Sequence, residues 1–433
     1  MFWDFSNYFD LKDCIVDIKN SVKQIARDAA LAARKLSRVT EMEKNKALLR
    51  MADELERNCK FLLAENSKDV IRAKKSGISK GMLERLTLKP ATIEQMAKGL
   101  REVAALPDPV GKVISMWRRP NGLLVGKMRI PLGVIGIIYE SRPNVTVDAA
   151  ALCLKSGNAV ILRGGSESIK SNLAIASILQ GVLRETSIPV SAIQVIPLID
   201  REAVSEMLQL DEYIDLIIPR GGEELIRAVV AQSKIPVIKH YKGVCHVFVD
   251  AGADIDMAVN ICLNAKTQRP GVCNALETML VHQDIAREFL PLAANKLKKA
   301  GVVIRGCAKT KSILKNIEKA NEHDWYAEYL DLILAVKIVE NIDEAIAHIE
   351  KYGSLHTESI ITNDYVNSQR FLNEVNSSTV LVNASTRFSD GFELGLGAEI
   401  GISTTKLHAF GPMGLEELTT TKFIIYGNGQ VRT

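Results

Sequence analysis

The sequence lacks the features that mark membrane proteins and disulfide-stabilised proteins. No uninterrupted apolar run reaches the roughly 18–20 residues that a transmembrane helix needs, so we expect no membrane span. The first ten residues carry acids and no basic stretch, which argues against a signal peptide. The seven cysteines are scattered, odd in number and without a C-x-x-C pair, which argues against both a disulfide framework and a zinc site. We therefore expect a cytoplasmic protein without a bound metal.

A strong charge imbalance is also missing, since the formal net charge is +4 over 433 residues. Basic pairs such as Arg118-Arg119 and Lys74-Lys75 are short and lack interleaved aromatic residues, so we expect no nucleic-acid surface. The G-x-G-x-x-G fingerprint of ordinary dinucleotide sites is absent as well. The length and the 47% hydrophobic content indicate a globular protein of two or three domains.

The pattern of apolar residues changes twice along the chain. From about Ser21 to Leu106 apolar residues recur at three- and four-residue spacing, which predicts helices. Val113 to Ile130 reads as two strands around Pro120-Asn-Gly122, a hairpin without a core of its own that we expect to pack on another subunit. From Gly133 onward short apolar strands, including one predicted at Val237 to His240, alternate with helices. This alternation predicts parallel sheets covered on both faces.

One cysteine stands in a setting that suits chemistry. Cys273 lies in a Pro-Gly turn directly before a strand-like run, where a thiol can be presented at the mouth of a cleft. The alternative is a small buried residue that fills the core, which composition alone favours. Gly271 and Asn274 favour the nucleophile, because they supply a flexible turn and a polar donor near the sulfur.

Two strand-to-helix junctions have the composition of phosphate sites. Each carries Arg-Gly-Gly where a helix begins, and the residues are Arg163, Gly164, Gly165 and Ser166 in the first and Arg220, Gly221 and Gly222 in the second. Glycines allow close approach of the backbone, helix N-termini offer free N–H groups and arginine matches phosphate geometry. The alternative is a pair of ordinary turns with arginines in solvent. In an open parallel sheet both junctions lie where ligands bind.

Together these motifs resemble one family. The matching segments are Glu140-Ser-Arg-Pro-Asn-Val-Thr-Val-Asp148, Gly271-Val-Cys-Asn-Ala-Leu-Glu277, the run from Val339 to Ile360, Leu396-Gly-Ala-Glu-Ile400 and Gly411-Pro-Met-Gly-Leu-Glu-Glu-Leu418. On these segments the chain is identified as a member of the gamma-glutamyl phosphate reductase (glutamate-5-semialdehyde dehydrogenase) family, within the aldehyde dehydrogenase superfamily. Phe410 stands where we expect arginine in the family, a difference that does not touch the chemistry.

The resemblance implies an α/β, aldehyde-dehydrogenase-like fold. It consists of a Rossmann-type cofactor domain, an α/β catalytic domain and a small β oligomerisation hairpin. On this basis we expect residues 1–112 and 132–241 to bind NADP(H), residues 242–415 to carry the catalytic domain, and residues 113–131 and 416–433 to form the oligomerisation element. The expected assembly is a homo-oligomer, a dimer or a tetramer.

The activity that the resemblance implies is NADPH-dependent reduction of L-glutamyl 5-phosphate, delivered by glutamate 5-kinase, to L-glutamate 5-semialdehyde in proline biosynthesis. Cys273 would form the thioacyl intermediate, and its backbone N–H with the Asn144 amide would stabilise the oxyanion. The first alternative is a non-phosphorylating aldehyde dehydrogenase, but His240 aligns with the glutamate that activates water there. The second is a catalytically silent scaffold, against which the retained Cys273 argues.

Residues for the cofactor and substrate follow from the same alignment. NAD-using relatives carry a glutamate where this chain has Ser166, and Arg163 adds a guanidinium, which favours NADP(H). Glu328 aligns with the glutamate that holds the nicotinamide ribose. The predicted anion partners of the substrate are Arg142, His356 and Arg387. Their structural alternatives are a role in the turn before Pro143, a satisfied loop histidine, and a pair with Asp390 or Glu399.

Overall fold

The structure, a computed structural model, describes residues 17–432, so the acidic first ten residues and Cys14 lie outside the described residues. The helices are α1 (Ile18–Leu36), α2 (Glu41–Arg57), α3 (Cys59–Lys75), α4 (Lys80–Leu86), α5 (Pro90–Ala105), α6 (Asn144–Lys155), α7 (Ile169–Leu183), α8 (Glu202–Met207), α9 (Glu223–Gln232), α10 (Ile255–Thr267), α11 (Gln283–Lys299), α12 (Ala308–Ile313), α13 (Glu322–Trp325), α14 (Ile342–Tyr352) and α15 (Tyr365–Glu374). The strands are β1 (Val113–Arg118), β2 (Leu124–Pro131), β3 (Val134–Tyr139), β4 (Ala159–Gly164), β5 (Ile193–Val195), β6 (Leu216–Arg220), β7 (Cys245–Val249), β8 (Leu276–His282), β9 (Val303–Gly306), β10 (Glu318–Lys319), β11 (Ile333–Val339), β12 (Thr357–Ile361), β13 (Thr379–Val382), β14 (Ile402–Ser403), β15 (Gly411–Pro412) and β16 (Thr419–Tyr426).

The described chain groups into two compact units. Unit 1 comprises residues 17–100, 131–217 and 229–237, and unit 2 comprises residues 101–130, 218–228 and 238–432. Stretches 101–112, 218–228 and 238–241 thus group with unit 2, whereas the sequence-based division placed them with the cofactor domain. The functions assigned to the three predicted domains remain predictions.

A four-stranded sheet has the order β5-β4-β3-β6, and its strands β3, β4 and β5 run parallel and belong to unit 1. Every residue of β3 and β4 is buried, because helices cover the sheet. Helices α1 and α2 begin at side-chain caps: Asp17 accepts from the Asn20 N–H, and Thr40 and Glu43 form a capping box. These caps determine the residue at which each helix begins, which the spacing of apolar residues alone does not determine.

Unit 2 contains a seven-stranded parallel sheet in the order β10-β9-β11-β8-β7-β12-β13. Residues of α10 and α11 pack in the apolar core on one face, and residues of α14 and α15 pack on the other. Cys273 lies between α10 and β8, at the entrance to one of the central strands. The structure has the α/β class that the sequence predicts, with parallel sheets and a small antiparallel sheet.

The predicted hairpin is present in unit 2. Strands β1 and β2 pair antiparallel, and β16 completes a three-stranded sheet. The turn uses Gly122 at φ 89°, a conformation that glycine adopts without strain. Every residue of β1 is exposed.

The strand predicted at Val237 to His240 was wrong. The structure has a single bridge there, between Ile217 and Val237. Pro236 has no N–H to donate to a ladder, and the Lys239 carbonyl accepts from the Thr404 N–H at 3.1 Å instead.

Two features are absent from residues 17–432. No helix within this range is long and apolar enough to cross a membrane. No group of three or more His, Cys, Asp or Glu side chains in the same range could hold a metal ion.

Candidate active site

Cys273 is partly accessible to solvent. The residue is partly exposed in the turn between α10 and β8, whereas Cys153, Cys245 and Cys262 are buried. Burial raises the pKa of each of those three thiols, since an apolar interior disfavours the thiolate. The position of Cys273 therefore removes the alternative that this side chain fills the core.

The carbonyl group and the N–H of Cys273 differ in their hydrogen bonding. The Cys273 carbonyl accepts a hydrogen bond from the Cys245 thiol at 3.1 Å. The Cys273 N–H makes no hydrogen bond to any residue in the described range 17–432. One side of the turn is thus fixed to β7 while its N–H remains available for an oxyanion that forms next to the sulfur.

Gly243 links this turn to Glu328. A Cβ atom on Gly243 would overlap the Cys273 carbonyl oxygen and lie 2.9 Å from its Cα, so only glycine fits. The Gly243 N–H donates to Glu328 Oε1 at 2.8 Å. Burial raises the pKa of the Glu328 carboxyl, and the bond from Gly243 opposes that effect. Glu328 and Cys273 are therefore held on two sides of one glycine.

His356 lies behind the same turn. Its Nδ1 is 2.8 Å from Thr357 Oγ1 and 3.7 Å from the Cys245 sulfur, and its ring meets His240 edge-on at 5.8 Å. Burial lowers the pKa of His356 to about 4, although Glu328 and two other carboxylates oppose the shift. Nε2 is buried without a partner among the described residues, so the alternative of a satisfied loop histidine does not hold. At neutral pH His356 can offer a neutral N–H donor but no positive charge.

Arg387 is anchored beside the nucleophile. Its Nε donates to Gln268 Oε1 at 2.8 Å and its Nη1 donates to Asn274 Oδ1. Asn274 in turn donates to the Ser389 carbonyl at 2.9 Å. Burial lowers the pKa of the guanidinium, and Asp390 opposes that shift. Within residues 17–432 Arg387 forms no ion pair with Asp390 or Glu399, so the structural alternative of such a pair is not observed.

A buried ion pair supports the start of β8. Lys266 Nζ donates to Glu277 Oε2 at 2.7 Å, and both side chains are fully buried. The Leu330 N–H donates to Glu277 Oε1 at 3.2 Å, which ties β8 to the loop that follows Glu328. Burial raises the pKa of Glu277 to about 7 and lowers that of Lys266, while each partner opposes the shift of the other.

The predicted residues of unit 1 surround the ends of β3 and β4. Asn144 begins α6 and its amide donates to Asp148 Oδ2 at 3.1 Å. Arg142 is exposed in the turn before Pro143. Ser141 has a φ of 41°, and both its N–H and its hydroxyl donate to Glu167 Oε1, at 2.7 and 2.8 Å. The Glu167 carboxylate therefore holds the turn that precedes α6.

Arg163 faces carbonyl oxygens. Its guanidinium donates to the Gly164 carbonyl at 2.9 Å and to the carbonyls of Ile199 and Asp200 at 3.1 and 3.3 Å. Its Nε is buried without a partner in the described chain. Burial lowers the pKa of Arg163, and the nearby cation Arg201 lowers it further. Two guanidinium groups thus share this end of the sheet.

The second Arg-Gly-Gly junction falls in the residue range of unit 2. Arg220 packs against Gly401, whose φ of 144° and contact with the guanidinium leave no room for a side chain. Gly221 and Gly222 are exposed at the start of α9, where a Cβ on Gly222 would meet no atom within 4 Å. No side chain therefore crowds the Cα of Gly222 at this junction.

Of the predicted residues, unit 2 brings Cys273, Glu328, His356 and Arg387 together. Asn144, Arg142 and residues 163–166 form a second group in unit 1, and their predicted roles remain predictions. Sequence reasoning missed Gly243 and Cys245, which contact the Cys273 turn. The only signal for Gly243 is its place in the Lys-Gly pair after His240, and Cys245 has none.

Comparisons with known proteins assign this arrangement to a family. The model of the aldehyde dehydrogenase family matches residues 16–306. The gamma-glutamyl phosphate reductase of Geotalea daltonii is 63% identical over 415 residues, which cover 96% of this chain and 99% of the relative. That of Geobacter metallireducens is 64% identical with the same coverage. The crystal structure of the Thermotoga maritima gamma-glutamyl phosphate reductase has a TM-score of 0.93 at 48% identity, covering 95% of this chain and all of that one. The chain therefore belongs to the gamma-glutamyl phosphate reductases of the aldehyde dehydrogenase family.

Proposed function

We propose that the chain reduces L-glutamyl 5-phosphate to L-glutamate 5-semialdehyde and phosphate with NADPH, the second step of proline biosynthesis from glutamate. The observation that carries this function is the partly exposed thiol of Cys273, whose N–H has no partner among residues 17–432. The printed names of relatives at 63% and 64% identity support the same reaction.

Cys273 begins the reaction as a thiolate. Its sulfur attacks the acyl carbon, and the carbonyl oxygen becomes an oxyanion beside the Cys273 N–H. Collapse of this adduct breaks the bond between carbon and the phosphate oxygen, so phosphate leaves and a thioester on Cys273 remains. A thiolate suits this step better than a serine hydroxyl, because its acyl product stays reactive.

Cys273 is the leaving group in the second half of the reaction. The reduced nicotinamide, when bound, supplies the hydride that converts the thioester to the aldehyde. The carbon–sulfur bond breaks, and its electron pair returns to sulfur to regenerate the thiolate. His240 stands at the position of the carboxylate that activates water in hydrolytic relatives, and its ring packs against the buried His356. Without that carboxylate the thioester is preserved for reduction.

For the cofactor we propose NADP(H), with Arg163, Ser166 and the adjacent glycines around its adenosine phosphate. The orphaned Nε of Arg163 and the neighbouring Arg201 fit an extra anion, because two cations lie at one end of the sheet. Glu167, a carboxylate that could repel such an anion, is tied to Ser141. Arg220, Gly221, Gly222 and Glu328 are proposed for the rest of the cofactor, with Glu328 on the nicotinamide ribose.

For the substrate, we propose that His356 Nε2 donates to the phosphate or the oxyanion and that Arg387 binds the α-carboxylate. A neutral histidine suits a site that must release phosphate, since it donates a hydrogen bond without a full charge. Arg142 and Asn144 are proposed for the phosphate and the oxyanion. The unstable acyl phosphate must come from a kinase acting on glutamate.

We also propose a homo-oligomer, a dimer or tetramer, formed through residues 113–131 and 416–433. Strand β1 supports this, because Val113, Ile114, Met116 and Trp117 are each at least 37% exposed. Exposed apolar patches on one small sheet favour a protein contact.

The reverse reaction tests the function directly. Purified protein is mixed with glutamate 5-semialdehyde and NADP⁺, with or without phosphate, and NADPH formation is followed. We expect turnover only with phosphate, because phosphate must cleave the thioester. Phosphate-independent turnover that yields glutamate would establish the non-phosphorylating alternative. Cys273→Ser should abolish turnover, whereas Cys59→Ser, at another partly exposed cysteine, should retain it.

A further inference from the structure

Unit 2 contains a cavity of about 210 Å³ beside the nucleophile, and five of its six lining residues are polar or charged. It is lined by Asn264, Gln268, Arg387, Phe388, Asp390 and Glu393. Arg387 joins this cavity to the reaction centre, because its Nη1 bonds to Asn274, the residue after Cys273. The charge of the Cys273 thiolate also acts on Arg387. The cavity is thus within electrostatic range of the reacting sulfur.

Arg387 supplies the positive charge of the cavity. Its guanidinium is held in place, and part of its hydrogen-bonding capacity is unused. Bonds to Gln268 and Asn274 occupy Nε and Nη1 of Arg387, and they hold the guanidinium plane. Its Nη2 makes no hydrogen bond to a residue within 17–432. An arginine held in this way can bind a carboxylate without losing further side-chain freedom.

The negative side is also available. Glu393 forms no hydrogen bond or ion pair with any residue of the described chain, and it is exposed. Asp390 accepts one backbone N–H, from Phe392 at 3.0 Å on Oδ1. Although Asp390 acts electrostatically on Arg387, no ion pair joins Arg387 to either carboxylate within residues 17–432. Opposite charges that line one cavity without pairing match a ligand that carries both signs.

We propose that Glu393, assisted by Asp390, binds the α-ammonium group of the substrate while Arg387 binds its α-carboxylate. This inference rests on the proposed function, whose substrate is a zwitterion. Two methylene groups separate the α-carbon of a glutamyl chain from the carbonyl that Cys273 attacks. The head group therefore lies one short side chain away from the sulfur, and Phe388 can cover the methylenes.

The subsite makes the free α-ammonium group a requirement for good binding. A substrate without that group leaves Glu393 and Asp390 unpaired, and an N-acylated substrate adds bulk in their place. The enzyme therefore selects amino acids with a free amino group over des-amino or N-acyl analogues. Because Asp390 and Glu393 provide the two carboxylates, the loop from Asp390 to Glu393 determines this selectivity.

The test compares two aldehydes in the phosphate-dependent reverse reaction. Glutamate 5-semialdehyde carries the ammonium group, and 5-oxopentanoate has the same chain and carboxylate without it. For Glu393→Gln and Asp390→Asn/Glu393→Gln we expect KM for the amino substrate to rise about 10- to 100-fold with kcat within about threefold. KM for 5-oxopentanoate should stay within about twofold of the wild-type value. Each variant is compared with wild type on the same substrate. Cyclisation of the amino aldehyde then affects both KM values equally and does not change their ratio.

Two controls separate the possible failures. Glu340→Gln, an exposed carboxylate paired with Lys309 elsewhere in unit 2, should change neither KM. Arg387→Lys should raise KM for both aldehydes, because both carry the carboxylate. If the two loop variants affect both aldehydes equally, or neither, the ammonium assignment is wrong. If wild type shows no phosphate-dependent turnover of the amino substrate, the proposed function itself fails.

Discussion

The backbone of Gly243 lies against the carbonyl group of Cys273, so closely that a Cβ atom on Gly243 would overlap the oxygen. The same carbonyl accepts a hydrogen bond from the buried thiol of Cys245. These two contacts fix the peptide plane after the Cys273 Cα from two sides. Since a displacement of about 1 Å can cost a large factor in rate, the orientation of the thiol depends on residues that touch no substrate.

We predict that Gly243→Ala lowers kcat at least about 100-fold, because the new methyl group must displace the Cys273 turn or the Glu328 bond. The measurement is kcat for the reverse reaction together with the thermal unfolding midpoint. Gly252→Ala is the matched control, since its nearest neighbours would be 3.9 Å from a new Cβ. An active Gly243→Ala enzyme would show that the turn is not held by this contact.

The sequence predicted the architecture better than the site. Alternating apolar strands and helices indicated parallel sheets, and Pro-Asn-Gly indicated the hairpin, because these signals are local in the chain. The contact between Gly243 and Cys273 joins residues thirty positions apart, so no spacing rule reveals it. The environment of His356 was also hidden, because burial depends on how β7 and β12 pair. The sequence therefore predicted His356 as an anion partner without indicating that the ring is buried and uncharged at neutral pH.

We predict that stability falls with acid because two buried histidines resist protonation. Burial lowers the pKa of His348 to about 2 and that of His356 to about 4, both below the 6.5 of an exposed histidine. Their contribution is complete above pH 6.5 and is lost as the pH falls, since only the unfolded chain then takes up the protons. Each histidine should contribute about 1.4 kcal/mol per pH unit between pH 6 and 5.

The variant that isolates this effect is His348→Phe, which keeps an aromatic ring beside Trp325 and removes the titration. Denaturant unfolding at pH 7, 6 and 5 should show a smaller loss of stability with acid than in wild type. His323→Phe, at an exposed histidine, should leave the slope unchanged. An equal slope in all three proteins would exclude His348 as its source.

We predict that Arg201 contributes to the proposed preference for NADPH. The exposed guanidinium lies close enough to Arg163 to act on its charge, at the end of β4 where the extra phosphate is proposed. Arg201→Gln should lower kcat/KM with NADPH about tenfold and leave kcat/KM with NADH nearly unchanged. Arg184→Gln, another exposed arginine of unit 1, is the control. Equal losses with both cofactors would contradict the assignment, and equal wild-type efficiencies would overturn the proposal of NADP(H).

We predict that the Lys266–Glu277 pair behaves as a unit. Lys266→Met removes the cation that opposes the burial of Glu277, so Glu277 must stay unpaired or take up a proton, and we expect a loss of about 3–5 kcal/mol in unfolding free energy. Lys266→Met/Glu277→Gln should recover part of that loss, because no isolated charge remains. Denaturant unfolding of the two variants at pH 7 measures the difference. A double variant that is less stable than the single variant would contradict this expectation. It would show that Glu277 stabilises the fold mainly by accepting the hydrogen bond from the Leu330 N–H.

We predict that charges on the three-stranded sheet dissociate the proposed homo-oligomer. Ile114 on β1 and Ile425 on β16 are 45% and 59% exposed, and a buried lysine at either position would lack a partner. Ile114→Lys/Ile425→Lys should reduce the mass in solution to that of one 47.6 kDa chain, measured by light scattering after gel filtration. Ile71→Lys, at a 53% exposed isoleucine of α3, should keep the wild-type mass. An unchanged mass for the double variant would place the subunit contact elsewhere, and a monomeric wild type would exclude the assembly altogether.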